Sequence, residues 1–139
     1  MDCPDCGSPT VAFDAGEHAD ALPGERGSEG GGESAGAGVA LCTRCLALHP
    51  VADPPADPPD FQRVSDAFPA DPAAAVPLAL LVGLLENLAL YRAEIADLLV
   101  EVERAGTDPL LALDRLAADE SIEADVDLAG RRKQLEQLL

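Results

Sequence analysis

The 139-residue chain predicts an α+β fold that is mainly α. A small N-terminal β-hairpin or three-stranded sheet, pinned by cysteines, precedes a C-terminal helical hairpin or bundle. Three observations carry this prediction. All four cysteines fall in two CxxC pairs, Cys3-Pro4-Asp5-Cys6 and Cys42-Thr43-Arg44-Cys45. Short β-prone runs adjoin both pairs, Ser8 to Phe13 and Val39 to Leu41. Beyond residue 60, apolar side chains recur in steps of three and four, the spacing of a helix face.

The cysteines come first because they decide the N-terminal architecture. Within a CxxC pair the two intervening residues let the chain turn so that both sulfurs face one centre. Two pairs supply four thiolates, a complete tetrahedral set with no position left open for substrate or water. The expectation is one structural zinc per chain, held by Cys3, Cys6, Cys42 and Cys45 in a zinc ribbon spanning residues 1–52. Rubredoxin-type iron is the competing metal. Cys6-Gly7 fits such a knuckle, but Cys45 is followed by Leu46 and aromatic residues are lacking around the pairs. With four thiolates at hand, His49 is read as a strand-end residue and not as a ligand. The chain opens Met1-Asp2-Cys3, without a basic or apolar leader. Paired, reduced thiols then point to a cytoplasmic protein and not to disulfides.

Taken in order, Ser8 to Phe13 suits the first strand leaving the metal. The Gly/Glu-rich stretch at about 14–38, with Gly30-Gly31-Gly32, is too polar to offset its ordering entropy and reads as a flexible insertion. Val39-Ala40-Leu41 returns as a strand, and Leu46 to Val51 provides a third. The run 53–60, Asp53-Pro54-Pro55-Ala56-Asp57-Pro58-Pro59-Asp60, is an extended Pro-rich linker to a helical domain at 61–139. Asp60 caps a short helix from Phe61 to Phe68 that turns Phe61, Val64 and Phe68 to one side.

Asp71-Pro72 is a cap and first-turn pair. From there Leu81, Leu84, Leu88, Tyr91, Ile95, Leu98 and Val102 form one seam, which predicts a continuous helix to Gly106, kinked or started late at Pro77. Leu78, Leu85 and Leu99 widen that seam and raise the expectation of an exposed apolar flank, used for self-association or for docking a partner through Leu81 to Leu88. Asp108-Pro109 opens a further helix. A polar connector at 121–125 leads to a last helix from Asp127 with Leu128, Leu135, Leu138 and Leu139 inward. Glu86 and Asn87 break the longest apolar run, which argues against a membrane span.

Charge narrows the partners. There are 26 acidic residues against 9 basic ones, a formal net charge of −17, and Lys133 is the only lysine. Such self-repulsion is relieved in molar salt, which fits a halophilic cytosol. The same charge repels phosphates. The lone basic cluster, Arg131-Arg132-Lys133, reads as a solvated stretch of a C-terminal helix, where cations suit the helix dipole. No nucleophile motif, phosphate-binding glycine loop or triad is present. A redox dithiol needs cationic surroundings, and near the cysteines only Arg44 supplies them, opposed by Asp2 and Asp5.

Cys3-Pro4-Asp5-Cys6-Gly7 and Cys42-Thr43-Arg44-Cys45 look like zinc-ribbon knuckles. Together with the acidic composition and the helix segment Leu90 to Leu99, the chain resembles a family of small, uncharacterised haloarchaeal zinc-ribbon proteins. The resemblance implies host and fold, and no reaction. The function expected is a non-catalytic interaction or adaptor module with an unknown protein partner. A nucleic-acid-associated ribbon is the alternative, and a Cys-based redox or electron-transfer protein ranks below both.

Overall fold

Thr10–Asp14 (β1) and Gly38–Cys42 (β2) run antiparallel, with Val11 opposite Leu41 and Phe13 opposite Val39. Leu48–Pro50 (β3) adds to the other side of β2, His49 opposite Ala40, giving the order β1-β2-β3. The computed structural model describes residues 2–16, 38–51, 55, 57, 59–124 and 126–137. The insertion expected at about 14–38 starts and ends at the paired residues Asp14 and Gly38, and its interior, 17–37, lies outside the described residues. So do residues 53, 54, 56 and 58 of the Pro-rich stretch, and Leu138 and Leu139. β2, flanked on both sides, is buried along its whole length, as a central strand must be.

Among the described residues four α-helices follow: α1 (Pro72–Leu84), α2 (Arg92–Arg104), α3 (Pro109–Ala118) and α4 (Leu128–Glu136). Aspartate caps start three of them. Asp71 accepts from the Ala73 N–H, Asp108 from those of Leu110 and Leu111, and Asp127 from that of Gly130. Each such cap is worth about 1 kcal/mol. α2 ends where the sequence places a stop. Gly106 takes a φ of +98° and the Thr107 N–H closes onto the Val102 carbonyl. Among the described residues no helix is long and apolar enough to cross a membrane.

Two helix expectations need correction. The helix expected to continue from Asp71 to Gly106 is two helices. After α1, Leu85–Asn87 tightens into a 3-10 turn, and the Asn87 carbonyl accepts from the N–H groups of Leu90 and Tyr91 to reverse the chain. α1 and α2 then pack on each other. A single helix of that length would run to about 50 Å, far more than the rest of this chain can cover, whereas folding it in half lets its two faces bury one another. The flank expected to be exposed is consequently interior: Leu78, Leu85 and Leu99 are all at 0% exposure, and Leu81 and Leu84 are buried beside them. Pro77 neither delays α1 nor ends it; it lies buried inside the helix.

The second correction concerns Phe61 to Phe68. Only Phe61–Arg63 is helical, as a 3-10 turn capped by Asp60. Past it, the buried Ser65 uses its hydroxyl locally, accepting from the Ala67 N–H and donating to Asp119 Oδ2 at 2.6 Å. That competes with continued helix. Phe61, Val64 and Phe68 are nevertheless all buried, as the spacing predicts.

Sheet and helices share one apolar cluster, from Val11, Phe13, Val39 and Leu41 through Phe61 and Phe68 to the leucines of all four helices. The chain's three phenylalanines form its joint. Phe13 on β1 meets Phe61 edge-on at 4.9 Å, and Phe61 stacks on Phe68 at 5.5 Å. Leu48 on β3 makes a second joint against Gly83 of α1, where an added Cβ would run into Leu48 Cγ and Cδ1.

Gly83→Ala tests that joint, because helix propensity alone favours alanine by about 1 kcal/mol. An added Cβ would run deep into Leu48, which puts the overpacking cost in the upper part of the usual range, about 2–3 kcal/mol, so a net destabilisation of about 1–2 kcal/mol is expected in a urea melt. A variant as stable as the parent, or more so, would show that β3 does not rest on α1.

Candidate metal centre

The centre is built from two similar loops. In the first, the Gly7 N–H donates to the Cys3 carbonyl and the Cys3 N–H to that of Ser8, both at 2.8 Å. In the second, the Cys42 N–H donates to the Ala47 carbonyl at 2.9 Å. Each loop leaves its second cysteine through a left-handed residue, Gly7 at φ +80° and Leu46 at φ +65°. For leucine that backbone costs about 1–2 kcal/mol, which burial of its side chain in the main core offsets by about 1.5–3 kcal/mol. The residue that departs from the Cys-Gly pattern thus fastens the second loop to the helices. Thr43 locks the loops together, both its N–H and its hydroxyl donating to the Pro9 carbonyl at 3.0 and 2.8 Å.

The four predicted ligands, Cys3, Cys6, Cys42 and Cys45, converge, with their sulfurs all within 4.8 Å of one another. Two contacts cross between loops: Cys3 to Cys45 at 3.7 Å and Cys6 to Cys42 at 3.5 Å. A tetrahedral ion with metal–sulfur bonds of about 2.3 Å sets its sulfurs about 3.8 Å apart. A disulfide needs about 2.05 Å, and all four cysteines are free. The donor set therefore fits a four-thiolate metal site. Cys3, Cys42 and Cys45 are buried and Cys6 is at the surface.

The sulfurs differ electrostatically. Hydrogen bonds from the Ser8 hydroxyl, then from its backbone, lower the Cys6 pKa to about 6. Burial pushes the Cys42 and Cys45 thiols up. Arg44, the one nearby cation found from sequence, meets Glu123 Oε2 at 2.6 Å, an exposed pair of little energetic weight. Its carbonyl does more, accepting the Glu123 N–H at 2.8 Å and tying the second loop to the α3–α4 connector.

Two residues that touch the sulfurs escaped the sequence reading. Ser8 sits two residues past Cys6, where a knuckle places a donor, and that offset was the available signal. His49 is more than a strand-end residue: its Nε2 lies 3.5 Å from Cys3 Sγ and 4.0 Å from Asp5 Oδ2. Only β3 pairing brings it there.

These features define a small α+β protein with a four-cysteine, metal-competent centre of zinc-ribbon type. The chain belongs to a family of unknown function, DUF6276, which matches residues 2–139. No curated protein and no solved structure matches it.

The thiol asymmetry has a pH signature. A lowered pKa means that Cys6 is about nine-tenths thiolate at pH 7. In reduced protein pulsed with iodoacetamide immediately after the zinc is stripped, before the fold opens, Cys6 should label first, with a rate that climbs through pH 6 and flattens above pH 7. Cys42 and Cys45 should stay slow until well into the alkaline range. Equal rates at the three sites, read by peptide mass spectrometry, would contradict this.

Proposed function

We propose that the protein is a non-catalytic zinc-ribbon adaptor, in which one zinc bound by Cys3, Cys6, Cys42 and Cys45 fixes a small sheet that the helices extend into a protein-binding surface. One observation carries the reading: the four sulfurs lie within 4.8 Å of one another, two of the pairs at 3.5 and 3.7 Å, close to the spacing of a four-thiolate site that leaves a bound ion no position for substrate. Zinc suits such a closed thiolate set and supplies folding energy, with no redox step. The acidic composition supports a halophilic cytosol as its setting.

Nucleic acid is the weaker partner. Arg132 is paired with Asp114 and Glu136, and Arg131 donates to Gln134 and to the Glu86 carbonyl. The two arginines of the basic cluster are thus engaged with their own chain, on a molecule of formal charge −17. The apolar face expected to serve self-association is interior, which favours a partner bound through polar surface.

One purification tests the reading. Tagged protein isolated at molar potassium chloride should contain one zinc per chain by elemental analysis, carry no nucleic acid, and bring down a protein partner in constant ratio. Cys45→Ser should lose the zinc. Iron in its place, no metal at all, or copurifying nucleic acid without a protein would contradict the proposal.

A further inference from the structure

Every sulfur of the centre faces hydrogen-bond donors. Ser8 serves Cys6 through its hydroxyl and backbone. The N–H groups of Arg44 and Cys45 point to Cys42 Sγ at 3.3 and 3.4 Å, and that of Ala47 serves Cys45. Cys3 receives the Asp5 N–H at 3.4 Å and, in addition, faces His49 Nε2 at 3.5 Å. His49 is the one ring in this set. β3 holds it opposite Ala40 on the central strand, and its side chain is only 16% exposed.

Cys3, Asp5 and His49 also satisfy the spacing of a ligand group, so two roles for the imidazole must be separated. Four converging thiolates fill the coordination of a structural zinc, and a nitrogen ligand would have to displace one of them. A ring N–H aimed at the outer side of Cys3 displaces nothing. Asp5 Oδ2, 4.0 Å from the same nitrogen, is too far to take that hydrogen bond.

We infer that His49 donates an Nε2–H···S hydrogen bond to the Cys3 thiolate and thereby governs how firmly the centre retains its metal. The inference rests on the metal reading above. Four thiolates around a dication leave a net double negative charge, on a chain that is itself at −17. A donor on Cys3 draws part of that charge off the sulfur, holds it in place, and makes it less reactive toward protons and electrophiles. His49 is a positioning residue, and removal of such an outer partner typically costs 10–100-fold in metal affinity.

The test compares zinc-loaded wild type, His49→Phe and His49→Gln, after circular dichroism shows that each is folded; His49→Ala replaces the phenylalanine variant if that one is not. Transfer of zinc to a chromophoric chelator should be about 10-fold faster in His49→Phe. Alkylation during release should strike Cys3 sooner than in wild type. His49→Gln, whose amide still carries N–H donors, should recover much of the retention. Release within twofold of wild type with no change at Cys3 would overturn the role of His49 and leave the metal reading standing. Nitrogen in the first coordination shell of the wild-type zinc, seen by X-ray absorption, would make His49 a ligand and overturn the donor role. Wild type that takes up no zinc would overturn both.

Discussion

The convergence of four sulfurs to within 4.8 Å is the constraint on which the rest of the structure depends. It joins two loops some 40 residues apart in sequence and so fixes the register in which β1 and β2 leave the centre. A three-stranded sheet this small, with one three-residue edge strand, needs a metal or further packing to stand. Something must hold its ends, and the cysteine loops do so from one side.

From the other side the sheet is held by the helices. Phe13, Phe61 and Phe68 run from β1 to the head of the helical segment, Leu46 turns from the second loop into the same core, and Leu48 rests on Gly83. A polar contact repeats the pattern, with the Glu123 N–H on the Arg44 carbonyl. The sequence suggests a ribbon and a helical domain separated by a Pro-rich stretch, yet the packing across that stretch is continuous. In physical terms the sheet is held from two sides, by the cysteine loops at its ends and by the helical core on its face.

Much of this was legible in the residues. Two CxxC pairs announced the four-cysteine centre, and Asp before Pro or before an apolar run marked the starts of α1, α3 and α4. What stayed hidden depends on three-dimensional context. The steps from Leu84 to Leu88, Tyr91 and Ile95 keep helical spacing straight through the reversal at 85–91, so periodicity could not register it. Ser65 gives no local sign that its hydroxyl will reach Asp119, 54 residues away. His49 lacks any ligand motif and comes to Cys3 only when β3 pairs with β2. Leu46 broke the expected Cys-Gly pattern, and its left-handed backbone makes sense only beside the core its side chain enters.

The claim that the cysteine centre and the helices form one cooperative unit is tested most directly by removing the metal while watching the helices. Zinc-loaded protein at molar salt would be titrated with a strong chelator, with bound zinc and helical circular dichroism at 222 nm recorded together. The two signals should fall in a single shared transition, with most of the helical signal lost along with the zinc. Loss of all the zinc with the helical signal intact would contradict the account and make the helices a domain that stands without the centre.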